Sequence, residues 1–115
     1  MEQKAPMNFQ KALREFDGDK EFLIEILHDF LKQVKSQIEP IRQAISRGDA
    51  ETVRREAHSI KGGAANLGAN DLSMKAFELE DIGKSGILEG SAESLQKLEK
   101  ELMRLENYAK NQQAG

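Results

Sequence analysis

Between Leu23 and Ile45 the apolar residues Leu23, Ile26, Leu27, Phe30, Val34, Ile38, Ile41 and Ile45 recur at steps of three and four. That spacing is the period of a helix, not the alternation of a strand, and it marks one side of a single long helix. A helix with so long a one-sided stripe buries it by packing against other helices, so the stripe predicts a helical bundle. Pro40 lies inside it. Proline removes a backbone donor and crowds the preceding turn, and because the stripe continues past Pro40 the expectation is a bend there rather than a stop.

The rest of the chain divides into segments of the same kind. A short first helix is expected from an Asn8 N-cap, with Phe9, Ala12, Leu13 and Phe16 on one face, ending at Asp17-Gly18. Asp19 caps the long helix, which Arg47-Gly48-Asp49 closes with a glycine stop and an immediate new Asp cap. A third helix is predicted from about Ala50 to Leu67, ended by Gly68, and a fourth capped by Asn70 with Leu72, Ala76, Leu79 and Gly83 in line. After a loop from Ser85-Gly86 to Gly90, Ser91 is expected to cap a fifth helix whose Leu95, Leu98, Leu102, Leu105 and Ala109 form a bundle seam. The predicted fold is all-α: an antiparallel four-helix bundle with an additional short N-terminal helix. Residues 1–115 read as one domain, with 1–7 and 111–115 as frayed tails.

Composition narrows the function classes. The 17 Lys and Arg against 20 Asp and Glu give a net charge of -3, which argues against nucleic acid as a partner. No cysteine is present, so neither a disulfide framework nor a thiolate metal site is available, which suits a reducing cytoplasm. Two histidines without His-Glu-x-x-His spacing suggest no metal. The Met1-Glu2-Gln3-Lys4 start and the short apolar runs predict neither a signal peptide nor membrane insertion. One bundle uses up the apolar stripes, so a monomer is expected.

The least ordinary stretch is His58-Ser59-Ile60-Lys61-Gly62-Gly63-Ala64-Ala65-Asn66-Leu67-Gly68. Two glycines inside a helix each cost about 1 kcal/mol relative to alanine, so their presence calls for a reason. At roughly 100° per residue, Val53, Ala57, Ile60, Ala64 and Leu67 share the core side, and His58 lies nearly opposite Leu67. Glu51, Arg54, Arg55, Lys61, Gly62 and Ala65 share its side. The imidazole is therefore expected in water at mid-helix, with Gly62 and Ala65 leaving the adjoining surface almost bare. Gly63 points nearer the core and reads as a packing glycine. Lys61, one turn on, is placed to offset negative charge brought to the ring. Arg54 and Arg55 read as the ordinary solvated face of the helix. His28 lacks comparable neighbours and reads as a surface or boundary residue.

The order His-x-x-Lys-Gly, a run of small residues and then Gly68 resembles the signature of histidine-containing phosphotransfer domains. The resemblance extends over nearly the whole chain, from the long helix ending in Gly48-Asp49 to the Leu79-Glu80 pair on the fourth helix. It implies phosphorylation of His58 on Nε2, with a carboxylate or amide from the next helix bonding Nδ1 in some members. Glu80 stands at the matching position, and two readings of it remain: an orienter of the imidazole, or a plain surface glutamate paired with Lys84. Lys84 itself matches a place where some members carry a second cation.

The resemblance implies a phosphocarrier that accepts a phosphoryl group on His58 from a receiver-domain aspartyl phosphate and passes it to another receiver aspartate. Its partners would be response-regulator receiver domains or a hybrid histidine kinase. It would carry no cofactor of its own, magnesium belonging to the receiver. No Gly-x-x-x-x-Gly-Lys or kinase-type glycine loop is visible, so an independent ATP-dependent kinase is not expected. Two alternatives are a non-catalytic helical adaptor using the same exposed face, and the phosphoacceptor domain of a chemotaxis-type kinase.

Overall fold

The computed structural model describes residues 4–114, and the first three helices begin where a side chain supplies a partner for the unpaired backbone N–H groups. The order is α1 (Phe9–Glu15), α2 (Lys20–Arg47), α3 (Ala50–Asn66), α4 (Asn70–Ser85) and α5 (Ser91–Ala114), with no strand among the described residues. Asn8, Asp19 and Asp49 each accept a backbone N–H with the side-chain oxygen at the starts of α1, α2 and α3. Gly48 ends α2 with φ +74°, and Gly68 follows α3 with φ +70°, conformations that residues with a Cβ rarely adopt. α2 runs on as helix through Pro40.

Three sequence expectations differ from the structure. Asn70 does not cap α4: the N-cap position is Ala69, which makes no side-chain cap bond and is completely buried. Ser91 is the first residue of α5 rather than its cap, and its buried hydroxyl donates to the Leu88 carbonyl at 2.6 Å. In both places burial of the junction prevails over the local capping preference. The expected tails are also ordered where described. Pro6 and Met7 are buried, the Lys4 carbonyl accepts from Arg104, and α5 continues to Ala114; residues 1–3 and 115 lie outside the described residues.

Helices α2 to α5 form a closed ring in which α2 and α4 each pack against both α3 and α5. Their directions follow from cross-helix pairs. Phe30 lies against Gly63 and Gln37 meets Glu56 between α2 and α3, Arg54 meets Gly83 and Lys61 meets Ser73 between α3 and α4, and Lys35 meets Glu106 and Arg42 meets Glu99 between α2 and α5, with residue numbers rising on one helix as they fall on the other. The bundle is therefore antiparallel. One apolar cluster fills it, including Leu23, Leu27, Val34 and Ile41 of α2, Val53, Ala57 and Ile60 of α3, Leu72 and Leu79 of α4, and Leu98 and Leu105 of α5. α1 packs on α2, and an edge-to-face contact between Phe16 and Phe22 fixes the turn between them. Among the described residues no helix is long and apolar enough to cross a membrane.

Candidate functional site

The core side of α3 determines where His58 points. Val53, Ala57, Ile60 and Ala64 are all completely buried, so the opposite side of the helix faces solvent, and the His58 side chain is 62 % exposed at mid-helix. Gly62 and Ala65 are exposed beyond it. A Cβ built on Gly62 meets nothing within 4 Å, whereas one on Gly63 would lie 2.5 Å from Cε1 of Phe30. The two glycines thus have different surroundings: Gly63 lets the Phe30 ring of α2 pack against α3, and Gly62 has no packing role.

Beneath the imidazole lies a buried carboxylate. Glu80 of α4 is only 2 % exposed, and its Oε2 sits 2.7 Å from His58 Nδ1. Its Oε1 lies 2.7 Å from the Lys61 ammonium. Burial disfavours the charged form of Glu80, but bonding to Lys61 and then His58 outweighs it and holds the carboxyl below the usual carboxylate range. An ionised carboxylate can only accept, so His58 Nδ1 carries the proton and donates a hydrogen bond to Glu80. Nε2 is then the ring nitrogen with a free lone pair.

Of the two sequence readings of Glu80, the surface one is overturned. The side chain is buried, and its partners are His58 and Lys61 rather than Lys84, which is exposed on the next turn of α4. Lys61 has a partner the sequence did not reveal: it is tied to Glu80, with its ammonium 5.4 Å from the centre of the Phe77 ring. Arg54 is engaged by Glu51 at 3.0 Å, and Arg55 lies against Thr52 and Glu56, so neither arginine is turned to His58. His28 is exposed on α2, outside the His58–Glu80–Lys61 cluster.

Three residues at this seam were not legible as site residues. Ser73 donates its hydroxyl to the Lys61 carbonyl at 3.1 Å, pinning α4 to α3 below the site. Phe77 is partly exposed and flanks Lys61. Gly83 is buried on α4, where a Cβ would lie 2.7 Å from the backbone nitrogen of Arg54. The mid-helix glycine was the one sequence signal for this approach, because a buried glycine there marks close backbone contact.

The bundle thus presents His58 exposed at mid-helix, its Nδ1 held by a buried carboxylate and a bare surface beside it. The Hpt domain family model matches residues 25–108, and the chain belongs to this family of phosphorelay phosphocarriers. Its fold is similar to that of histidine-containing phosphotransfer protein B (HptB) from Pseudomonas aeruginosa PAO1, with a TM-score of 0.87 at 23 % sequence identity, covering 98 % of this chain and 99 % of that one. No curated protein matches the chain in sequence.

Proposed function

We propose that His58 is the phosphoacceptor and that it takes the phosphoryl group on Nε2 from a receiver-domain aspartyl phosphate. The observation that carries this is the 2.7 Å bond from Nδ1 to the buried Glu80 carboxylate, which leaves Nε2 as the nucleophile on an exposed ring. In the transfer the Nε2 lone pair forms the N–P bond, the acyl phosphate P–O bond breaks, and the receiver's aspartate leaves as a carboxylate. The proton stays on Nδ1, so the ring becomes a phosphoimidazolium whose positive charge faces Glu80. Glu80 thereby stabilises charge that develops only as the bond forms. The protonated ring is also a good leaving group, so the same geometry serves onward transfer to a second aspartate.

Lys61 stands at the rim of this pair, one turn from His58, and offsets the new phosphoryl charge while remaining beside Glu80. Gly62 clears the approach of the partner's active site. Lys84, exposed on the next turn of α4 from Glu80, supplies a second cation at the edge of the docking face. Positioning and charge stabilisation are most of what phosphoryl transfer requires, and magnesium is the receiver's contribution. The chain acts as a monomer in the cytoplasm, its apolar stripes consumed by its own core.

The test is to mix the chain with phosphorylated receivers and look for an acid-labile phosphoryl adduct. The wild type is expected to acquire it and His58→Gln to lack it, with Glu80→Ala slowed about tenfold, as for loss of other groups that orient a histidine. No adduct across a panel of receivers would leave an adaptor that docks without chemistry.

A further inference from the structure

We infer that Gly83 is a positioning residue for His58: by lacking a side chain it sets the α3–α4 separation at which Glu80 reaches the imidazole. The inference rests on the reading of Glu80 as the group that orients His58. A Cβ on Gly83 would lie 2.7 Å from the Arg54 backbone nitrogen, 2.9 Å from its Cα and 3.0 Å from its Cβ. The two nearest atoms are α3 backbone and the third is the Cβ fixed directly to it, so none can rotate aside and any side chain at this position forces the two helices apart. Gly62 forms the internal contrast, since a Cβ there meets nothing within 4 Å.

The register of the seam carries the effect to the site. Arg54 lies one turn before His58 on α3, and Glu80 lies one turn before Gly83 on α4, so in this antiparallel pair the Gly83–Arg54 approach and the Glu80–His58 bond are successive rungs. The second rung has little slack. Both Glu80 oxygens are at 2.7 Å from their partners, on a side chain only 2 % exposed that has no room to reach further round the helix. Ser73 holds the other side of the seam through the Lys61 carbonyl, so a displacement at Gly83 splays the helices on the Glu80 side. Separation there breaks the Nδ1 bond, and the ring proton is then no longer confined to Nδ1.

The experiment uses the full chain as wild type, Gly83→Ala, Glu80→Ala, the double variant, and Leu98→Ala as a core-destabilised control away from the site. Two quantities are read: the rate at which phosphoramidate, whose P–N bond breaks to release ammonia, phosphorylates His58, and the imidazole 15N shifts that report which nitrogen carries the proton. Trimethylamine N-oxide favours burial and keeps the destabilised variants folded during both readings. Gly83→Ala is expected to slow phosphorylation about tenfold and to lose the Nδ1–H pattern, as Glu80→Ala does. The double variant should be no slower than Glu80→Ala, while Leu98→Ala keeps the wild-type rate and pattern. The inference is overturned if Gly83→Ala retains both, if its effect adds to that of Glu80→Ala, or if it does not fold even with the osmolyte. A silent Glu80→Ala would instead remove the reading of Glu80 itself, an outcome distinct from a silent Gly83→Ala beside an impaired Glu80→Ala.

Discussion

The α2–α5 seam and the α3–α4 seam solve the same packing problem in opposite ways. Along α2 and α5 the buried positions are mostly large aliphatic side chains such as Leu27, Ile41, Leu98 and Leu105, and the charged pairs Lys35–Glu106 and Arg42–Glu99 stay at the solvent edge. Between α3 and α4 the buried residues include the small Ala57, Ala64, Ala76 and Gly83, the backbones approach closely where Gly83 meets Arg54, and a carboxylate is buried at 2 % exposure. Burying a carboxylate is unfavourable unless it is paired and bonded, and here the pairing is with the lysine and the histidine that the surface presents. One seam holds the bundle together; the other holds an imidazole in a chosen protonation pattern.

Truncation should separate these roles. Leu105→Ala, at a completely buried position, is expected to lower the unfolding free energy by about 2–5 kcal/mol in denaturant titrations while leaving phosphotransfer by the folded protein unchanged. Glu80→Ala should instead show its effect in transfer, slowed about tenfold, which amounts to about 1.4 kcal/mol at the transition state. Glu80→Gln, whose amide oxygen can still accept from Nδ1, should recover much of that loss. An equal transfer loss in Leu105→Ala would erase the distinction between the seams.

Smaller effects sharpen it. Gly62→Ala, with open space around the new Cβ, should raise stability by about 1 kcal/mol in thermal or denaturant unfolding, whereas Gly62→Gln should slow transfer from a receiver by obstructing its approach. Arg42→Ala breaks a solvent-exposed pair and should change stability by less than about 1 kcal/mol, with no change in transfer.

The pH dependence of stability provides a further contrast. Because the folded Glu80 carboxyl titrates below its ordinary value, the unfolded chain binds more protons between the two, and stability rises with pH there. The contribution is complete above the usual glutamate pKa of about 4.3 and is lost as pH falls through the lower folded value. The stability difference between wild type and Glu80→Gln should therefore shrink on acidification. A difference that grows instead would contradict the buried, ionised Glu80.

The sequence showed most of the bundle because each helix buries a stripe at helical spacing, and the stripe from Leu23 to Ile45 needs no tertiary information to be read. The same arithmetic placed His58 outward and separated Gly62 from Gly63. Glu80 was half legible: it lies beside the Leu72–Ala76–Leu79–Gly83 stripe, but whether its charge faced solvent or the seam depended on how closely α4 approaches α3. That approach is set by Gly83 against the Arg54 backbone, a relation between residues far apart in the chain that no local pattern encodes. The starts of α4 and α5 were misread for a related reason, since the buried Ala69 and Ser91 follow the core and not the capping preference of Asn70 or a free serine hydroxyl.

The central claim is that Glu80 fixes the proton on Nδ1 of His58 and thereby makes Nε2 the phosphoacceptor. The most direct test is to label the histidines with 15N, phosphorylate the chain, and assign the nitrogen bearing phosphorus from its coupling to 31P. The account predicts phosphorus on Nε2 of His58, with the proton retained on Nδ1. Phosphorus on Nδ1, or on His28, would contradict it.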